Sequence, residues 1–216
     1  MDAIDLAFRA RCVTLVVCTT GVMSLAATTT GYTRSSGSFV TDGFKVGQEI
    51  TPSGFAVNTA RVIKAVTASA ITTTTAPSAD AETSGRSLTV TLPAQRGWDN
   101  LDFTPERGRP YIEADFVPAT ATLRTGPAQG GTREETGLYV VRWYGLANTG
   151  ASNIRHAVNA LGALFTPGTT LTAGSDVVRI RADVAPFPSA VTQRAGGWAL
   201  CTLTIPWRVQ SANVVV

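Results

Sequence analysis

Charge is what this chain has least of. Charged residues make up 15% of its 216 positions, against roughly a quarter in an ordinary soluble domain. Lysine is nearly missing: 16 arginines and only Lys45 and Lys64 give a formal net charge of +3. The densest basic pairs are Arg9/Arg11, Arg107/Arg109 and Arg179/Arg181, with no longer run, which speaks against a protein that tracks phosphates. One histidine, His156, and three cysteines, Cys12, Cys18 and Cys201, with no CxxC spacing leave neither a zinc set nor a histidine-based triad. P-loop, HExxH, dinucleotide-glycine and GxSxG motifs are missing as well, so no catalytic residue, metal ligand or cofactor site is assigned. The acid pairs Glu113/Asp115 and Asp99/Asp102 remain, but a glycosidase would carry its acids on separate strands. Apolar runs are too short to span a membrane and no secretory leader is recognisable. The expectation is a soluble protein of a reducing compartment, its cysteines serving as small buried hydrophobes.

What the chain does have is enough apolar material for a core, 44% of residues, together with 32 threonines and 30 alanines. Few charges lower the desolvation cost of association, so the composition fits a subunit that covers its surface with copies or neighbours. A threonine-rich β protein from a high-GC genome would show the same bias.

Residues 2–11 predict a short helix. Asp2 is its cap, Ile4 and Phe8 lie on one stripe, and Asp5 and Arg9 pair one turn apart. The period then turns to β: short threonine-rich strands over 13–17, 22–26 and 32–34, broken by Gly21 and Gly31. From Ser38 the text SFVTDGFKVGQEITPSGFAVNTARVIKAVTASAITTTT alternates between turn signals at Asp42-Gly43 and Ser53-Gly54. It predicts a β meander or small barrel. Residues 76–86, APSADAETSGR, read as a surface loop before a last strand at 87–92.

Past the aromatic-anchored loop 97–109, the strand RPYIEADFVPA should bury Ile112, Ala114 and Phe116 and expose Glu113 and Asp115. Residues 120–136 lack an apolar period and predict a long hairpin loop able to reach a neighbour, with Arg124, Arg133, Glu134 and Glu135 as its contact candidates. The strand LYVVRWYGL returns from it. A helix over 152–165, capped by Ser152, then carries the stripe Ile154, Val158, Leu161 and Phe165, with His156 on its polar side. Strands over 176–183 and 197–209 follow, separated by the extended APFPS segment. Arg179 and Arg181 should form a ridge on one face of the first, with Val178, Ile180 and Ala182 on the other. The strand pair then offers an acidic face and an arginine-bearing face.

The ordered set RPYIEADFVPA, TGLYVVRWYGLANTG, IRHAVNALGALFTPG, DVVRIR and GGWALCTLTIPWRV resembles the tail terminator family of long-tailed bacteriophages. Residues 20–76 are similar to a small β module of phage tail tube and tail-associated proteins. The fold expected is α+β: a small α/β domain over 1–11 and 93–216, a mostly antiparallel sheet flanked by helices, with an all-β module inserted at 12–92. The resemblance implies a structural virion protein and no enzyme. It implies a homohexameric ring at the head-proximal end of the tail, assembled in the host cytoplasm. That ring would cap the tube, end its polymerisation and present a joining surface to neck proteins. DNA would only pass through its lumen, and no membrane or cofactor is involved. The hairpin loop and the terminal Trp207-Arg208 are then the candidates for tube and subunit contact. Two alternatives stand beside this: a tail tube or minor tail protein, and a β-rich host-surface or glycan-recognition module.

Overall fold

The computed structural model describes residues 3–98, 103–123 and 132–212. Helix α1 (Ala3–Cys12) is followed by β1 (Val16–Thr19), β2 (Met23–Ala27), β3 (Gly31–Thr33), β4 (Glu49–Ser53), β5 (Arg61–Val66), β6 (Ala70–Thr73) and β7 (Asp80–Thr91). Then come β8 (Gln95–Trp98), β9 (Tyr111–Leu123), β10 (Thr132–Leu146), α2 (Ala151–Ala163), β11 (Thr170–Ala173), β12 (Asp176–Ile180), β13 (Phe187–Pro188), β14 (Thr192–Arg194) and β15 (Trp198–Ala212). Among the described residues the molecule is mostly β with two small helices, which corrects the α+β expectation. Two sheets, not a helix-rich layer, carry the structure.

The first sheet closes. Strands β7, β2, β3, β6, β5 and β4 follow one another round a barrel, and β4 returns to β7, with β1 added on β7. Closure removes free edges, and it needs one strand long enough to pair on several sides. That strand is β7, and it corrects the loop expected at 76–86. Its first half is polar and exposed, so it shows no strand period. Arg86 holds it, donating to the carbonyls of Leu25 at 2.7 Å, Gly54 at 3.3 Å and Ala81, and pairing with Asp80 at 2.7 Å. The barrel core is Leu25, Tyr32, Phe39, Phe44, Ile50, Ile63, Ile71 and Leu88 with their neighbours.

The second sheet runs β11-β12-β15-β10-β9-β8, with β13 and β14 also on β15. Both helices cover one face of it. Phe8 of α1 stacks on Tyr139 with centroids 4.5 Å apart and on Phe165 at 5.7 Å, and the stripe Ile154, Val158, Leu161 and Phe165 is buried as the period implied. Helix α2 starts differently from expectation. Gly150, at φ 89°, occupies the cap with no side-chain bond, and Ser152 lies within the helix.

Strands β9 and β10 are longer than expected and shrink the loop at 120–136. They pair from Tyr111↔Tyr144 out to Leu123↔Arg133, with a register shift at Thr136/Gly137. Positions 117–122 are exposed on both faces, so the alternation that marks a half-buried strand is missing there. Strands β8, β11, β13 and β14 were also unforeseen; β8 lies parallel to β9 and runs into the start of the segment read as a loop at 97–109.

Candidate interaction surface

Helices α1 and α2 pack on one face of the second sheet; its other face has no helix among the described residues. In an antiparallel pair, residues directly opposite share a face, so the registers give its layout. Glu113, Arg142 and Thr202 form one row, Asp115, Val140, Thr204 and Phe187 the next, and Val117, Leu138 and Pro206 a third. Beyond the register shift come Thr120, Thr136, Arg208 and Arg179, then Thr122, Glu134, Gln210 and Val177. Val117 is 43% exposed, Leu138 37%, Val177 46% and Phe187 52%. Exposed apolar side chains are thus interspersed on this open face with three acids and three arginines, a mixed surface of the kind found at protein contacts.

The candidate residues fall into distinct roles. Glu113 accepts a hydrogen bond from the Tyr144 hydroxyl at 3.1 Å, and Asp115 pairs with Arg142. These acids are answered inside their own sheet, not by the arginine-bearing strand, which corrects the complementary-face argument. Burial, reinforced by Glu113, pushes the Tyr144 phenol above its ordinary range. Arg133 pairs with Glu135 at 2.8 Å, and Glu134 is buried, accepting from Gln210 at 3.3 Å. Arg124 lies outside the described residues.

The expected Arg179/Arg181 ridge does not form. Strand β12 ends at Ile180, Ala182 is exposed, and Arg181 turns onto Asp183, its Nε donating to Oδ1 at 3.0 Å. Arg179 instead faces Arg208 across the β12–β15 pair. Trp207 is a further correction: it is fully buried, stacked on Phe116 with centroids 5.0 Å apart, and serves the core. Arg208, beside it, is exposed. The residues sequence reasoning missed are Arg142 and Phe187. The prolines flanking Phe187 were the available signal, because they hold it extended and outward.

Barrel and sheet meet along a second set of contacts. Arg109 pairs with Glu49 at 2.8 Å, the Ala94 amide donates to the same carboxylate at 3.2 Å, and Asn153 Nδ2 donates to the Val46 carbonyl at 2.7 Å. His156 sits here rather than in solvent, its enclosed Nε2 3.6 Å from where a side chain on Gly43 would begin. The joint leaves a void of about 20 Å³ among Gln48, Glu49, Trp143 and Asn153, room for no more than about one water. Among the described residues no three His, Cys, Asp or Glu side chains gather as a metal site, and no helix is long and apolar enough to cross a membrane.

The described residues thus form a closed barrel joined to a sheet with one bare face. The family model described as phage tail terminator protein matches residues 79–207, more than half of the chain. The chain belongs to the phage tail terminator family, and is a structural component of the virion tail that works with other phage tail proteins. The match begins near the start of β7 and so includes one strand of the barrel. Comparison with curated proteins gives no match. One solved structure is similar at 22% identity with a TM-score of 0.45, covering 57% of this chain and 83% of its own.

Proposed function

We propose that this chain forms a ring, a homohexamer, that caps the head-proximal end of the tail tube. The ring ends tube polymerisation and offers the joining surface to neck proteins, while DNA passes through its lumen. The observation that carries this reading is the family match over 79–207. Two features of the fold support it. A head-to-tail ring needs two unlike surfaces that meet around a closed rotation. The second sheet has unlike ends, β11 at one side and β8 with the outer half of β9 at the other. Among the described residues, nothing pairs with β9 beyond Ala114 on the β8 side. The low charge of the chain and the bare sheet face fit a subunit enclosed by neighbours.

On this reading the protein is not an enzyme, and assembly takes place in the host cytoplasm. The direct test is to add purified protein to polymerising tube subunits. Growth should stop at a length set by the time of addition; tubes that lengthen unchanged overturn the proposal. The tail tube reading is favoured by the inserted-looking barrel, and self-assembly of this chain into long cylinders would establish it instead.

A further inference from the structure

Arg179 and Arg208 lie directly opposite each other on β12 and β15, both exposed and on the same face. Like charges placed directly opposite on neighbouring strands repel, so the pair is a local cost to the fold. Neither guanidinium makes a hydrogen bond or ion pair among the described residues. With Val177 and Gln210 they frame an open depression of about 370 Å³. Among the described residues seven arginines pair with an acid: Arg9 with Asp5, Arg34 with Asp42, Arg86 with Asp80, Arg109 with Glu49, Arg133 with Glu135, Arg142 with Asp115 and Arg181 with Asp183. Arg179 and Arg208 are not among them; they face each other across a strand pair, and Asp183 acts on Arg208 through space without a direct bond.

We propose that Arg179 and Arg208 form a two-guanidinium clamp for a carboxylate on another protein of the tail. Two planar forks side by side present several donors to one oxyanion, the geometry in which arginine outperforms lysine. The partner is a different protein rather than a second copy. Among the described residues every carboxylate except that of Asp176 already has a partner within this chain. Lys45, Lys64, Arg107, Arg155 and Arg194, by contrast, make no side-chain bond there. Among the described residues spare cations therefore outnumber spare acids, which favours an acidic complement. Nucleic acid is the weaker occupant. Phosphate tracking needs cations strung along a path, whereas this pair sits beside Pro206, Leu138 and Val177, a mixed apolar rim typical of protein contacts. That the acidic partner is a tail protein rests on the proposed function; the clamp itself rests on the geometry of this face.

The test measures binding of a labelled hexaglutamate peptide, and separately of a short DNA duplex and of inorganic phosphate, to the full chain at low salt. Arg179→Gln and Arg208→Gln are compared with Arg194→Gln as control. The clamp predicts that each of the first two weakens peptide binding by about tenfold, that the control does not, and that added salt weakens all binding. It also predicts melting temperatures equal to or above the parent for both, because a repulsion is removed. Peptide binding unchanged in both variants, or absent in the parent, overturns the clamp. DNA or free phosphate bound more tightly than peptide and lost in the same variants makes the site a phosphate site and overturns the carboxylate assignment. Light scattering on the same variants keeps the readouts apart: clamp variants that assemble like the parent, whatever that state, separate failure of the clamp from failure of the ring.

Discussion

Glu49 of the barrel and Arg109, just ahead of β9, are joined at 2.8 Å, with the Glu49 side chain 7% exposed and that of Arg109 31%. Two stretches of chain separated by the whole of β5 to β8 meet in this pair. It anchors one sheet to the other. Removing the cation strands an enclosed carboxylate, which typically costs about 3 kcal/mol. Arg109→Ala should therefore lower stability by about that amount in urea unfolding, whereas Arg109→Ala with Glu49→Gln should lose much less. Equal losses in the two variants would mean that the pair is not what holds the joint.

Gly137 lies beneath Trp207, where a methyl group would stand 2.5 Å from Cζ2 of the indole and 2.6 Å from the Val117 carbonyl oxygen. Neither the backbone nor the enclosed ring can withdraw cheaply. Gly137→Ala should destabilise the protein by about 1–3 kcal/mol, the usual penalty for overpacking, with a fall in melting temperature as the readout. The exposed Gly174→Ala, with φ 62° but open space around it, should cost less.

Much of this was legible in the sequence, and the failures share a cause. Helix α2 announced itself because Ile154, Val158, Leu161 and Phe165 repeat at the helical period and all are buried. The Asp5–Arg9 pair was legible for the same local reason. Strand β7 was not, because DAETSGR is held by Arg86 reaching carbonyls far away in sequence. The outer halves of β9 and β10 were hidden because both faces of 117–122 are exposed, leaving no alternation to read. Trp207 was assigned to a surface because period two says which residues share a face, not which face is inside. The meeting of Arg179 with Arg208 depends on the β12–β15 register, which no local pattern encodes.

Asp80 accepts from the Ala56 amide at 3.1 Å and pairs with Arg86 at 2.7 Å, and these bonds, the amide first, hold its carboxyl below the ordinary value of 3.8. A depressed folded pKa stabilises the protein above the unfolded value and is lost as pH falls through the folded one. Acid unfolding of the parent should therefore include an Asp80 contribution below pH 3.8, and Asp80→Asn should flatten that part of the stability curve. An identical acid limb in parent and variant would contradict the assignment.

Cys12 and Cys18 are enclosed, and burial pushes both thiols up to about 12. The reactive species is the thiolate. At mildly alkaline pH a thiol reagent should label these two slowly in the folded protein and rapidly once denaturant is added. Fast labelling of Cys12 in the native state would show that α1 opens from the sheet.

The ring remains the central claim, and negative-stain imaging of the purified chain tests it most directly. The account predicts single, closed, six-fold rings that do not stack into tubes. Long cylinders, or monomers that never close even on tube ends, would contradict it.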